Sequence, residues 1–110
     1  MKNFNYNLSS EDVKAITCAL EVMPSYGCFE SEEEANAVYM LSVSSGKKLI
    51  MHQQLSNRET FYVALAIDNA FKALRGEITV ADDAVASLRP YLFTINKLHP
   101  VFARILNEYG

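Results

Sequence analysis

The stretch L-S-N-R-E-T-F-Y-V-A-L-A-I-D-N-A-F-K-A-L-R-G, residues 55–76, decides the fold because it carries its own start, body and stop. Ser56 followed three residues later by Glu59 is a capping box. The serine oxygen takes the amide of the third helical residue, and the glutamate reaches back to the serine amide. Gly76 stands where a helix commonly ends in a left-handed residue. The body between them is long enough to span roughly 28 Å at ~1.5 Å per residue. At ~100° per residue, Thr60, Val63, Ala64, Ile67, Ala70, Phe71 and Leu74 share one side, while Asn57, Arg58, Asp68, Asn69, Lys72 and Arg75 share the other. That is an amphipathic helix facing a core. Phe61 and Leu65, with Tyr62 beside them, point into its polar side.

Working outward, Ser9 and Asp12 pair as a second cap, with Leu8 and Val13 placed for a hydrophobic staple. The helix that follows stops before Pro24. Its apolar stripe is Val13, Ile16, Thr17, Leu20 and Met23, but Ala15, Cys18, Ala19 and Val22 gather on its back. A helix apolar almost all round is sandwiched between others or sits in an interface. Ser31 and Glu34 form a further capping box, and the acids Glu32, Glu33 and Glu34 suit the positive end of a helix dipole. Beyond residue 76, Thr79 is placed to cap a helix whose stripe runs through Pro90. Pro100 suits the first position of a last helix.

The spacing predicts an all-α single domain over residues 1–110. Its five helices lie at 10–23, 32–45, 57–75, 80–98 with a proline kink, and 100–109. Residues 1–8, with Phe4, Tyr6 and Leu8 alternating with asparagines, read as an extended N-terminal arm. One alternative stays open: V-Y-M-L-S-V and K-L-I-M-H-Q around S-S-G-K would also suit a β-hairpin at 38–53, giving an α+β fold.

The 110 residues are half hydrophobic, with six Phe, six Tyr and no Trp, and carry a net charge of −3. That charge argues against a protein whose main task is holding a phosphate backbone. No apolar run approaches the ~20 residues that span a bilayer, and M-K-N-F-N-Y-N is no secretion signal. We expect a cytoplasmic protein. The two Cys and two His (Cys18, Cys28, His52, His99) form no close metal-binding pair. A Cys18–Cys28 disulfide fits the spacing across the first turn but not a reducing compartment. No P-loop, carboxylate–histidine metal motif or nucleophile motif stands out, so we expect no enzyme, no metal and no cofactor.

Two functions remain. The first is a small protein–protein interaction module of the adaptor or inhibitor type. It would self-associate or bind another protein through Phe61, Tyr62, Leu65 and Phe93, since aromatic residues are favoured at interface centres. The second is a helix-turn-helix-like DNA-binding regulator. Lys47, Lys48, Gln53, Asn57 and Arg58 make residues 47–58 the most basic and amide-rich part of the chain.

Overall fold

The computed structural model describes residues 8–22 and 31–109. Its described residues are 83% helical and contain no strand. The helices are α1 (Ser10–Val22), α2 (Glu32–Ile50), α3 (Asn57–Leu74), α4 (Asp82–Leu88) and α5 (Leu92–Tyr109), with a 3₁₀ turn at Arg89–Tyr91. Residues 1–7 of the arm predicted at 1–8, the turn at 24–27 and Cys28 lie outside the described residues.

Local chemistry sets the helix starts. Ser9 and Asp12 exchange backbone and side-chain bonds of 2.9 and 3.1 Å. Ser31 Oγ accepts the Glu34 amide at 3.1 Å. Ser56 and Glu59 close the full capping box on α3. α3 then packs against α5, α2, α1 and α4. Val63, Ala64, Ile67 and Ala70 on α3 meet Ala15, Ile16, Ala19 and Leu20 on α1, Leu88 on α4, and Ile95, Leu98 and Phe102 on α5, all within one buried cluster. Burying each of the larger side chains stabilises the fold by about 1.5–3 kcal/mol. α1 is indeed sandwiched: it touches α2, α3, α4 and α5.

Three expectations are corrected. α2 does not end at 45 or turn into a hairpin over 38–53; it runs on as one helix through Gly46 to Ile50. A Cβ at Gly46 would sit 4.0 Å from Thr17 Cγ2, an ordinary contact, so the site does not demand glycine; the helix continues through it because α2 packs on α1 and α3. Thr79 is not a cap. Ala81 precedes α4, with no side-chain cap bond. Finally, the segment predicted as a kinked helix 80–98 followed by a helix 100–109 divides ten residues earlier than expected. Pro90 sits in the 3₁₀ turn, which tightens the chain where a donor is missing. Pro100 lies inside α5. It and Asn96, whose carbonyl loses its partner, are both exposed, so the lost bond faces water.

Two helix ends share one capping geometry. After α3, Gly76 (φ 74) donates to the Ala73 carbonyl and Glu77 to that of Lys72. After α2, His52 (φ 56) donates to the Leu49 carbonyl and Gln53 to that of Lys48. Both are Schellman motifs.

Candidate interaction surface

The predicted aromatic strip is not one surface. Phe61 and Leu65 are each 37% exposed, on the outward side of α3. Tyr62 is half-buried, its phenol 3.1 Å from the Ser42 hydroxyl on α2. Burial raises its pKa, with the Ser42 bond acting the other way. Phe93 is 89% exposed. It lies roughly 160° around α5 from the buried stripe Ile95, Leu98, Phe102 and Ile105, at ~100° per residue. Phe93 therefore faces away from α3, and the structure leaves it apart from the other three.

The larger apolar exposure is on α2. This helix buries Ser42, Ser45 and Leu49 and exposes Tyr39, Met40, Val43, Ile50 and Met51. These five are half of the ten large hydrophobic side chains exposed among the described residues. The sidedness of this helix is mixed: Leu49 is buried beside two serines and Val38 and Leu41 are half-buried, while several larger apolar groups face out. Ser42 bonds the Val38 carbonyl within its own helix, while Ser45 Oγ, fully buried, finds no hydrogen-bond partner among the described residues. A groove of about 700 Å³ opens between α1 and α2, walled by Thr17, Leu20 and Glu21 on one side and Tyr39, Val43 and Ile50 on the other.

A polar cluster fastens this helix to α3. Glu59, 3% exposed, accepts from Lys48 Nζ at 2.6 Å and from the Ser56 amide at 2.8 Å, and also from the Ser44 hydroxyl. Burial alone would raise its pKa. The bonds from Lys48, Ser44 and Ser56 overcome that and bring it down from 4.5 to about 2. Of the residues considered for nucleic-acid contact, Lys48 is therefore engaged within the fold, whereas Lys47, Gln53, Asn57 and Arg58 are exposed.

Two further carboxylates are held in ion pairs that join or brace helices. His99 stacks on Phe71, ring centres 3.7 Å apart and planes 9° from parallel, and its Nε2 lies 2.9 Å from Asp68 Oδ1. Lys72 takes the other Asp68 oxygen at 2.9 Å. Burial opposes the Asp68 charge, but the His99 and Lys72 bonds lower its pKa. Asp12, 5% exposed, meets Lys97 at 2.9 Å, tying α1 to α5. Cys18 is half-buried and its thiol donates to the Ser87 carbonyl at 3.4 Å, with burial pushing its pKa up. Among the described residues no group of three His, Cys, Asp or Glu side chains is placed to hold a metal, and no helix is long and apolar enough to cross a membrane.

The α2 surface went unread in the sequence because the 38–53 segment was ambiguous between helix and hairpin. The signal there is partial: Met40, Val43 and Ile50 share one side of a helix, but Glu33, Asn36 and Lys47 interrupt the apolar repeat. No family model, curated protein or solved structure matches the chain.

Proposed function

We propose that the protein is a small non-catalytic protein-binding module of the adaptor or inhibitor type, working through the outward face of α2. One observation carries the reading: a helix that turns serines inward and Tyr39, Met40, Val43, Ile50 and Met51 outward. Contiguous exposed apolar surface of this kind marks interaction sites. The adjacent groove supplies relief for side chains of a bound partner. A nucleic-acid role has less support. Lys48 is committed to Glu59, and Phe61 and Leu65 stand where an α3 recognition surface would need polar groups.

The test is a photo-cross-linking amino acid placed at Met40, at Phe93 or at Asn107, all exposed positions, in the full chain expressed in its native source. Adducts concentrated at Met40, and lost when Ile50→Asp is added, are the expected result. Equal capture at all three positions, or none at Met40, breaks the reading.

A further inference from the structure

We infer that the partner on α2 is a second copy of the same chain, bound antiparallel across a two-fold axis near Met40 and Val43. The inference rests on the protein-binding reading above and names its occupant. Met40, Val43 and Ile50 are the apolar positions of a 3–4 spacing that Glu33, Asn36 and Lys47 continue with polar side chains, and all six are exposed on α2. A seam of this kind on a solvent face is a helix surface lacking its mate.

Charge selects the mate and its direction. The first turn of α2 carries Glu32, Glu33 and Glu34; the last carries Lys47 and Lys48. Lys48 is bound to Glu59, which leaves Lys47 facing outward. A parallel copy would set Glu33 against Glu33 and Lys47 against Lys47. An antiparallel copy centred on Met40 and Val43 places Lys47 of each chain within about one helical turn of Glu33 of the other, with the apolar residues between them. The same helix is thus self-complementary in one orientation and self-repelling in the other. Two-fold symmetry doubles each pairing. Tyr39 flanks the seam on the side of the α1–α2 groove, which gives the interface a second contact strip.

α2 spans ~28 Å, and one helix pair of that length buries less than the ~1,200 Å² of a standard interface. The dimer is therefore reversible, with a micromolar dissociation constant.

Sedimentation equilibrium of the full chain from about 10 µM to about 0.5 mM tests it. Wild type is expected to dimerise. Glu33→Lys alone and Lys47→Glu alone each weaken the dimer about tenfold, as like charges replace opposite ones at two symmetric sites. An equimolar mixture of the two variants regains association, and so does the double variant Glu33→Lys/Lys47→Glu on its own. Both substitutions also oppose the helix dipole, so helicity is followed by circular dichroism. A loss of helix cannot produce the regain on mixing. A wild-type dimer whose two single variants fail to complement each other overturns the antiparallel pairing. A wild type that stays monomeric at about 0.5 mM overturns the second copy as partner. If the Met40 probe meanwhile captures a different protein, the binding surface stands with another occupant.

Discussion

α2 and α3 are nearly equal in length, 19 and 18 residues, and opposite in what they hide. α3 buries Val63, Ala64, Ala66, Ile67, Ala70 and Ala73 and is held on several sides. α2 buries two serines and one leucine, and shows its large apolar side chains to water. Both begin with a serine cap, so local chemistry does not separate them. What separates them is the source of their stability. α3 is fixed by packing of an apolar face, the usual origin of helical stability in proteins. α2 is fixed by caps and by the Glu59 cluster. On the proposed reading, such a helix keeps its apolar residues available for a partner.

The sharpest test of this contrast is truncation on each helix. Ile67→Ala, at a site with no exposure, should cost about 3 kcal/mol from lost transfer and the cavity left behind. Met40→Ala, 63% exposed, should change monomer stability by no more than about 0.5 kcal/mol. Urea unfolding in dilute solution reads both. Comparable costs would mean that α2 is not the open helix described here.

Next in size is the fastening between the two. Glu59 falls from 4.5 in the unfolded chain to about 2 in the fold. A depressed carboxylate contributes stability above its unfolded pKa and loses it as pH falls through the folded one. The contribution, about 3 kcal/mol at ~1.4 kcal/mol per tenfold, is therefore intact at pH 6 and fades between pH ~4.5 and ~2. Asp12 and Asp68 are also lowered and act in the same direction. The difference between wild type and Glu59→Gln isolates this residue. The gap between the two proteins' denaturation midpoints should shrink to roughly half between pH 6 and pH 3; a gap that stays constant with pH would remove the charge from the account.

The same contrast decides what was readable in the sequence. α3 was legible almost to the residue because cap, stripe and stop agree on one answer. The caps at Ser9, Ser31 and Ser56 were legible for the same reason, since each rests on contacts three residues apart. The length of α2 was not. Gly46 and the β-branched residues argue locally for a break, and the packing of α2 against α1 and α3, a tertiary fact, overrides them. The two prolines exchanged their roles for a similar reason. Whether a missing hydrogen bond faces water or protein depends on neighbours that no helical wheel contains. The apolar surface was expected on α3 and α5 because Phe61, Leu65 and Phe93 violate a clean stripe. On α2 no stripe was clean enough to violate.

A smaller effect probes the inward side of α2. Ser45 is fully buried with no hydrogen-bond partner among the described residues, and an unmet hydroxyl in that setting costs about 1–3 kcal/mol. Ser45→Ala removes the hydroxyl while keeping the close approach of neighbouring helices. It should raise stability by about 1 kcal/mol, measured as an increased urea midpoint with unchanged slope. A loss of stability would show that the hydroxyl is satisfied in solution and that the inward face of α2 is properly polar.

The smallest predicted effect lies at the ends of the two helices. Both finish in the same six-to-one and five-to-two hydrogen-bond pattern, but α3 uses Gly76 at φ 74 and α2 uses His52 at φ 56. A side chain in the left-handed region costs roughly 1 kcal/mol, which glycine avoids. Glycine also gives the unfolded chain more freedom, and that offsets part of the gain. His52→Gly should therefore stabilise the protein by about 0.5 kcal/mol, while Gly76→Ala should destabilise it by about 1 kcal/mol. His52 is exposed and stands outside the core cluster. Thermal unfolding of the two variants, compared in sign, decides the matter. If His52→Gly destabilises, the imidazole contributes an interaction that outweighs its strain, and the end of α2 is held more firmly than its backbone alone implies.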